Sequence, residues 1–290
     1  MVDVMNPENI PYLISDQQTP TTVMADPLTE AQQEMLLKFK ERLPSLINPD
    51  VTAHDDAAFC DDPCLKRYLR ATKWNLEHSV KRLEATLKWR REFQPHKITL
   101  DSMMTEGATG KLHINGFDMQ NHPILHLVPC KENTNDSEGH LKHVVFNLES
   151  AIKLLPVGVE KFVILVDLRN ISARNIVSIG DAKAVNDVLS SHYVERVKSI
   201  FLCEAPWIFS GFFRVVSPLL DPVTKEKINF VNIKHIKQET VPSGYAKLSN
   251  YIDLKYIYKD FGGDNPFTFV KESYFNQLRT VLENAVDPKQ

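Results

Sequence analysis

Phe162-Val-Ile-Leu-Val166 is apolar at every position. A strand with one face in water alternates apolar and polar residues. An unbroken run of β-branched and aromatic residues instead needs cover on both faces, as in the middle of a parallel sheet. Ile124–Val128, Ile200–Cys203 and Ile228–Val231 are further short apolar runs, and stretches with helical character, 141–155, 174–192 and 207–217, separate the four. Strands that alternate with helices are joined by crossovers, which predicts an α/β fold with one mostly parallel central sheet.

Upstream of Ile98 the period is helical instead. Met35, Leu36, Phe39 and Leu43 repeat at helix spacing between Leu28 and Leu46, and an acidic loop follows. Asp62-Pro63 is an N-cap and first-turn pair opening a helix in which Leu65, Tyr68 and Leu69 share a face. Leu76, Val80, Leu83 and Leu87 then mark a helix rich in Lys and Arg. The predicted organisation is a disordered or extended arm over 1–26, where Pro7, Pro11 and Pro20 break any periodicity, and a helical module over 27–98. The α/β domain follows over 99–270. A C-terminal helix carrying Phe275, Leu278, Val281 and Leu282, with its tail, fills 271–290.

Composition narrows the function. The 290 residues are 43% apolar and 24% charged, enough for a large core, and the net charge of −3 argues against a nucleic-acid binder. No basic, then apolar leader opens the sequence and no run of roughly 20 apolar residues crosses a bilayer, so a cytoplasmic protein is expected. Cys60, Cys64, Cys130 and Cys203 are too scattered for a disulfide framework and are expected as reduced thiols. Glu106-Gly-Ala-Thr-Gly-Lys111 has two residues where a phosphate loop has four, followed by Leu112. Cys60 and Cys64 have no second ligand pair, and His140 and His143 lack the helical Glu of a zincin, so they are expected as solvated side chains. Asn135 and Asn170 open glycosylation sequons that matter only in a secreted chain. Neither a nucleophile elbow nor a dinucleotide fingerprint is present; no enzyme, metal or cofactor is expected.

The segment from 193 to 227 is apolar beyond the needs of a surface helix. Trp207, Ile208, Phe209, Phe212, Phe213, Val215, Val216, Leu219 and Leu220 cover more than one helical face, while Ser210, Gly211, Arg214 and Ser217 interrupt them. Such a helix is buried or faces lipid, and it suits a movable wall over a lipid-sized cavity.

Several of these stretches resemble the CRAL-TRIO lipid-binding and lipid-transfer proteins, from about 27 to 270. Leu65-Lys-Arg-Tyr-Leu-Arg-Ala-Thr-Lys-Trp-Asn-Leu-Glu and Leu87-Lys-Trp-Arg-Arg-Glu-Phe are similar to the family's helical N-terminal module. Tyr193-Val-Glu-Arg-Val-Lys-Ser-Ile-Phe-Leu-Cys-Glu-Ala-Pro, Pro218-Leu-Leu-Asp-Pro-Val-Thr-Lys-Glu-Lys and Gly262-Gly263 are similar to landmarks of its lipid-binding half. Val194 stands where Pro is usual, and Asn121-His122-Pro123 replaces Gly-Arg-Pro.

The resemblance implies a hydrophobic pocket floored by the sheet and closed by a gate helix, here Trp207, Ile208, Phe209, Phe212, Phe213, Val215 and Val216. It places Lys73, Glu195, Thr224 and Lys227 at the phosphatidylinositol headgroup, with Thr72 in place of a neighbouring basic residue. Cationic groups would neutralise the phosphodiester and a carboxylate would accept from inositol hydroxyls. Members that also take phosphatidylcholine carry two hydroxyl residues where this chain has Phe162 and Ile164. A choline phosphate would lose its donors there, which points to the fungal phosphatidylinositol branch with a sterol or another compact apolar molecule as second ligand. The implied partners are phosphatidylinositol, a membrane surface touched transiently and a lipid kinase. Two rivals stay open: a carrier of a purely apolar ligand (sterol, tocopherol or retinoid), and a lipid-dependent adaptor that transfers nothing.

Overall fold

The apolar run at 162–166 is the middle strand of a sheet whose strands lie side by side in chain order: β1 (Leu112–Phe117), β2 (Pro123–Leu127), β3 (Phe162–Asp167), β4 (Val197–Cys203) and β5 (Ile228–Val231). In this computed structural model, residues 11–14, 27–47, 53–172 and 177–285 are described. β2 to β5 pair in parallel and β1 pairs antiparallel with β2. The four predicted strands are present within a few residues of their expected ends. β1 was not expected, because His113, Asn115 and Gly116 interrupt its apolar residues.

All of β1 is nevertheless buried, since its polar groups are satisfied internally. His113 bonds the Gly110 carbonyl (2.9 Å) and the Tyr258 hydroxyl (2.7 Å), while the Asn115 carboxamide accepts the Tyr12 amide (2.7 Å). The Asn121-His122-Pro123 departure is the hairpin turn into β2. Asn121 takes the left-handed φ of 64° that Asn tolerates, and the Asp118 carboxylate accepts the Gln120 and His122 amides and pairs with the His122 ring. Both sheet edges carry extra backbone partners. Gly116 N–H donates to Tyr12 at the β1 edge, and Ala246 N–H donates to Phe230 at the β5 edge.

The chain divides into two compact units, one of residues 22–97 and 187–196, the other holding the sheet. The helical unit contains α1 (Glu30–Leu46), α2 (Ala53–Phe59), α3 (Asp62–Ala71) and α4 (Leu76–Phe93). α2 lies in the segment expected to be an acidic loop; its Asp56 is buried and pairs with Arg91 at 2.6 Å, which neutralises one of those charges. Thr29 and Gln32 form a capping box on α1, and Asp61 and Asn75 cap α3 and α4. Leu65, Leu69, Leu83 and Leu87 are fully buried in the core, and Val194 packs among them where the family pattern has Pro. The four cysteines are free, and burial pushes the Cys64 thiol up to about 11, disfavouring the thiolate a metal would need.

In the sheet unit the crossovers are α5 (Ser137–Lys153), α6 (Ile179–His192, whose end from Asp187 clusters with the helical unit), and α7 (Trp207–Val216) with the short α8 (Pro222–Glu226). α9 (Lys271–Asn284) buries Tyr274, Phe275 and Leu278, and the Tyr274 hydroxyl accepts the Ile114 amide. No helix among the described residues is long and apolar enough to cross a membrane.

Candidate ligand-binding face

The two faces of the sheet are buried to different degrees. Val163, Leu165, Phe201, Cys203 and Val231 form one closed core with Ile236, Leu248, Ile252 and Tyr256 from the segment after β5. The opposite face presents two cross-strand rows, Ile164–Ile200–Ile228 and Leu127–Val166–Leu202–Phe230, in register across adjacent strands. Ile164 and Ile200 are only partly buried although β3 and β4 are interior strands; Ile228 and Phe230, on the edge strand β5, are partly buried too. An interior strand covered by a close-packed layer would lose all of that exposure. Ile164 therefore lies on accessible apolar surface, whereas Phe162 is fully buried and lies outside this cluster, at the register shift that opens β3.

α7 lies over this face. Phe209, Phe212, Phe213 and Val216 follow the i, i+3, i+4, i+7 spacing of one helical stripe; Phe209 and Val216 are buried and the two central rings are half-buried. Phe209 sits 5.6 Å from Phe212 and 5.9 Å from Phe213, and Phe213 meets Phe230 of β5 edge-to-face at 5.6 Å. Ile208 is half-buried. Trp207, Ser210, Gly211, Arg214 and Val215 point outward, and Trp207 is 87% exposed. With Leu219 and Val223 also exposed, the outer surface of this region is apolar too. The expected all-round apolar helix is thus resolved into an inner aromatic stripe and an outer surface with Trp207 at its start.

The turn after β3 also borders this face through Leu168 and Ile171. Between them, Arg169 forks onto Asp167 (2.9 and 2.8 Å), reaches Asp260 at 2.7 Å and lies over the Phe261 ring at 4.1 Å. Only the coming together of positions 91 residues apart makes Arg169 a fastener, so the sequence gives no signal of it.

The residues expected at a headgroup divide between the units. Thr224 lies in the first turn of α8, and Lys227 ends that helix just before β5. Asp221 caps this helix, accepting the Thr224 amide (3.0 Å) and hydroxyl (2.5 Å). Burial works to raise the Asp221 carboxyl, but these bonds outweigh it and hold it below its ordinary value. The Lys227 carbonyl accepts the Ile200 amide at 2.8 Å, which fixes its backbone to the start of the sheet ladder. Lys73 and Glu195 belong to the helical unit, and both adopt left-handed backbone conformations, φ 54° and 58°. Lys73 is exposed and Glu195 half-buried.

Lys111, the lysine of the imperfect phosphate loop, is 1% exposed and its ammonium lies against Glu106 and, at 2.5 Å, Glu132. Neutralised by two carboxylates, it has no capacity left for a phosphate. Glu106, Glu132 and His140 bring donor atoms within 4.8 Å of one another, an arrangement able to hold a cation, and the Lys111 ammonium already supplies one. His143 is buried, not solvated as expected, and burial, with Lys111 and His140 nearby, pushes its pKa down to about 3.

Comparison with known proteins agrees with this geometry. Residues 107–263 match the model of the CRAL/TRIO domain, and residues 32–85 match that of the CRAL/TRIO N-terminal domain. A CRAL-TRIO domain-containing protein of Schizosaccharomyces pombe is 37% identical over 215 residues, covering 74% of this chain and 20% of its own length. Phosphatidylinositol transfer protein PDR17 of Saccharomyces cerevisiae is 33% identical over 215 residues, covering 69% of this chain and 61% of its own length. The chain thus spans less than two thirds of either relative. The crystal structure of Sfh5 superposes with a TM-score of 0.63 at 15% identity, over 89% of this chain and 98% of that one, a likeness of fold. With more than half of its residues in the matched domain and a helical module of the matching kind before it, the chain belongs to the CRAL/TRIO family.

Proposed function

We propose that this protein is a non-catalytic lipid carrier that binds phosphatidylinositol and exchanges it between membrane surfaces. The observation that carries this is the accessible apolar face of β3, β4 and β5 beneath the aromatic stripe of α7. Each buried methylene of an acyl chain contributes about 0.8 kcal/mol, a gain that nearly cancels the same gain in the bilayer, so loading and unloading stay near balance and α7 sets the rate. The phosphatidylinositol assignment draws on relatives named for transfer of that lipid, PDR17 among them, and on Lys73, Glu195, Thr224 and Lys227 matching the family's headgroup positions. Ile164 and Phe162, lacking hydroxyls, disfavour a choline phosphate and leave a sterol or similar compact molecule as the second ligand. A cytoplasmic site of action, transient contact with membranes and delivery to a lipid kinase complete the proposal.

Mass spectrometry of the lipid that co-purifies, with transfer of labelled phosphatidylinositol between vesicles, tests it. Phosphatidylinositol in the purified protein and transfer above the vesicle background are expected. A sterol, tocopherol or retinoid as the sole cargo would assign Lys227 and Glu195 no headgroup role; bound phosphatidylinositol without transfer would make the protein an adaptor.

A further inference from the structure

Glu204 joins β4 to α7 and holds a φ of 54°. Among the described residues of the sheet unit the other non-glycine residues with positive φ are Asn121 and Asn170, whose short amide side chains tolerate the left-handed region. Glu enters this region far less readily, so its conformation is held by its surroundings. Two bonds impose it. The Glu204 amide donates to the Val231 carbonyl (3.0 Å), extending the β4–β5 ladder one residue past β4, and its Oε1 accepts the Ile233 amide at 2.7 Å. The second is a charge-assisted bond to the backbone that leaves β5.

Beyond Glu204 the entry to α7 is sparsely attached. Ala205 is exposed, Pro206 caps the helix without a side-chain hydrogen bond, and Trp207 stands in solvent. We infer that the Glu204 carboxylate is a tether that locks the α7 hinge: it holds a disfavoured turn in place by bonding the exit of β5, and loss of that bond frees the helix start. Glu204 is thus a positioning residue, and its consequence for lipid exchange rests on α7 acting as the gate of the proposed carrier.

The test compares Glu204→Gln, Glu204→Gly and Glu204→Ala. Gln keeps an oxygen for the Ile233 amide; Gly loses the bond but adopts positive φ freely; Ala loses the bond and keeps the disfavoured turn. Hydrogen exchange of amides 207–216 in the purified chain should accelerate in the order Gln, Gly, Ala, with Gln near wild type and Ala faster by about tenfold, while amides 228–231 of β5 keep their protection. Release of preloaded fluorescent phosphatidylinositol to acceptor vesicles should speed up in the same order. Unchanged exchange over 207–216 in Ala, or a Gln variant that behaves like Ala, overturns the tether. Accelerated exchange without accelerated release upholds the tether and removes α7 as the gate. The conservative Gln and Gly variants keep the comparison decisive where Ala folds poorly.

Discussion

Phe213→Leu separates closed-gate energetics from general stability. The Phe213 ring meets Phe230 of β5 edge-to-face at 5.6 Å, and that contact links α7 to the sheet face. Leu keeps most of the apolar volume, so the change removes chiefly the ring pairing, worth about 0.5 to 1.5 kcal/mol. That contribution exists only while α7 lies on the face. With 1.4 kcal/mol equal to a factor of ten, release of preloaded labelled lipid should speed up roughly two- to tenfold. Stopped-flow dequenching on mixing with acceptor vesicles gives the rate, and urea unfolding gives the stability. Trp207→Ala is the matching control: it is 87% exposed, so unfolding should shift by at most about 0.5 kcal/mol, while vesicle docking should weaken with the interfacial ring gone. A lower urea midpoint for Phe213→Leu with unchanged release would falsify the gate assignment and make the stripe ordinary core.

Lys227→Ala should cut phosphatidylinositol transfer roughly ten- to a hundredfold, since a lost charge-assisted bond to phosphate costs about 1.5 to 3 kcal/mol, with circular dichroism unchanged; Glu195→Ala should act in the same direction but less, and normal transfer by folded Lys227→Ala removes the headgroup role. Ile164→Thr places a hydroxyl on the accessible face and should admit phosphatidylcholine in a direct loading assay; a folded variant that still refuses it locates the selectivity elsewhere. Phe162 is left intact in that test because it is fully buried and its truncation would cost several kcal/mol, about 3 to 5 for Phe→Ala in a core. Burial lowers the His126 pKa from 6.5 to about 4, so below pH 6.5 the unfolded chain binds a proton that the folded chain refuses. Stability should fall by about 1.4 kcal/mol per pH unit from this group, levelling off near pH 4. His126→Gln, which retains a donor for the Asn115 carbonyl, should make the urea midpoint less pH-dependent between pH 7 and pH 5 by this one group's share, with His143 and the other buried histidines keeping theirs; an unaltered slope would show that His126 does not contribute.

What the sequence disclosed was local. The all-apolar run of β3, the periodicity of α3 and α4 and the aromatic spacing of α7 each depend on residues within a few positions, and each lies where its pattern places it. β1 was concealed because His113 and Asn115 read as surface residues until Tyr258 and Tyr12, more than a hundred positions away, satisfy them. α2 was concealed by its acidic composition, one charge of which Arg91 neutralises. At the candidate site the same division holds. The helical spacing of the α7 stripe was legible, whereas the Arg169 fastener and the Glu204 turn arise from partners 91 and 29 residues off and from a backbone angle that no composition reveals.

The backbone partners at the two sheet edges bear on solubility. A protein that lifts a helix off an apolar face risks sticking to its own copies, and the most persistent form of sticking is strand against strand. Tyr12 accepts from Gly116 on the β1 side, and Ala246 donates to Phe230 on the β5 side. Lifting α7 would thus uncover greasy side chains while these backbone partners stay in place. Encounters between opened molecules then rest mainly on apolar contact, which has no fixed direction and breaks again, against edges where one backbone group is already engaged.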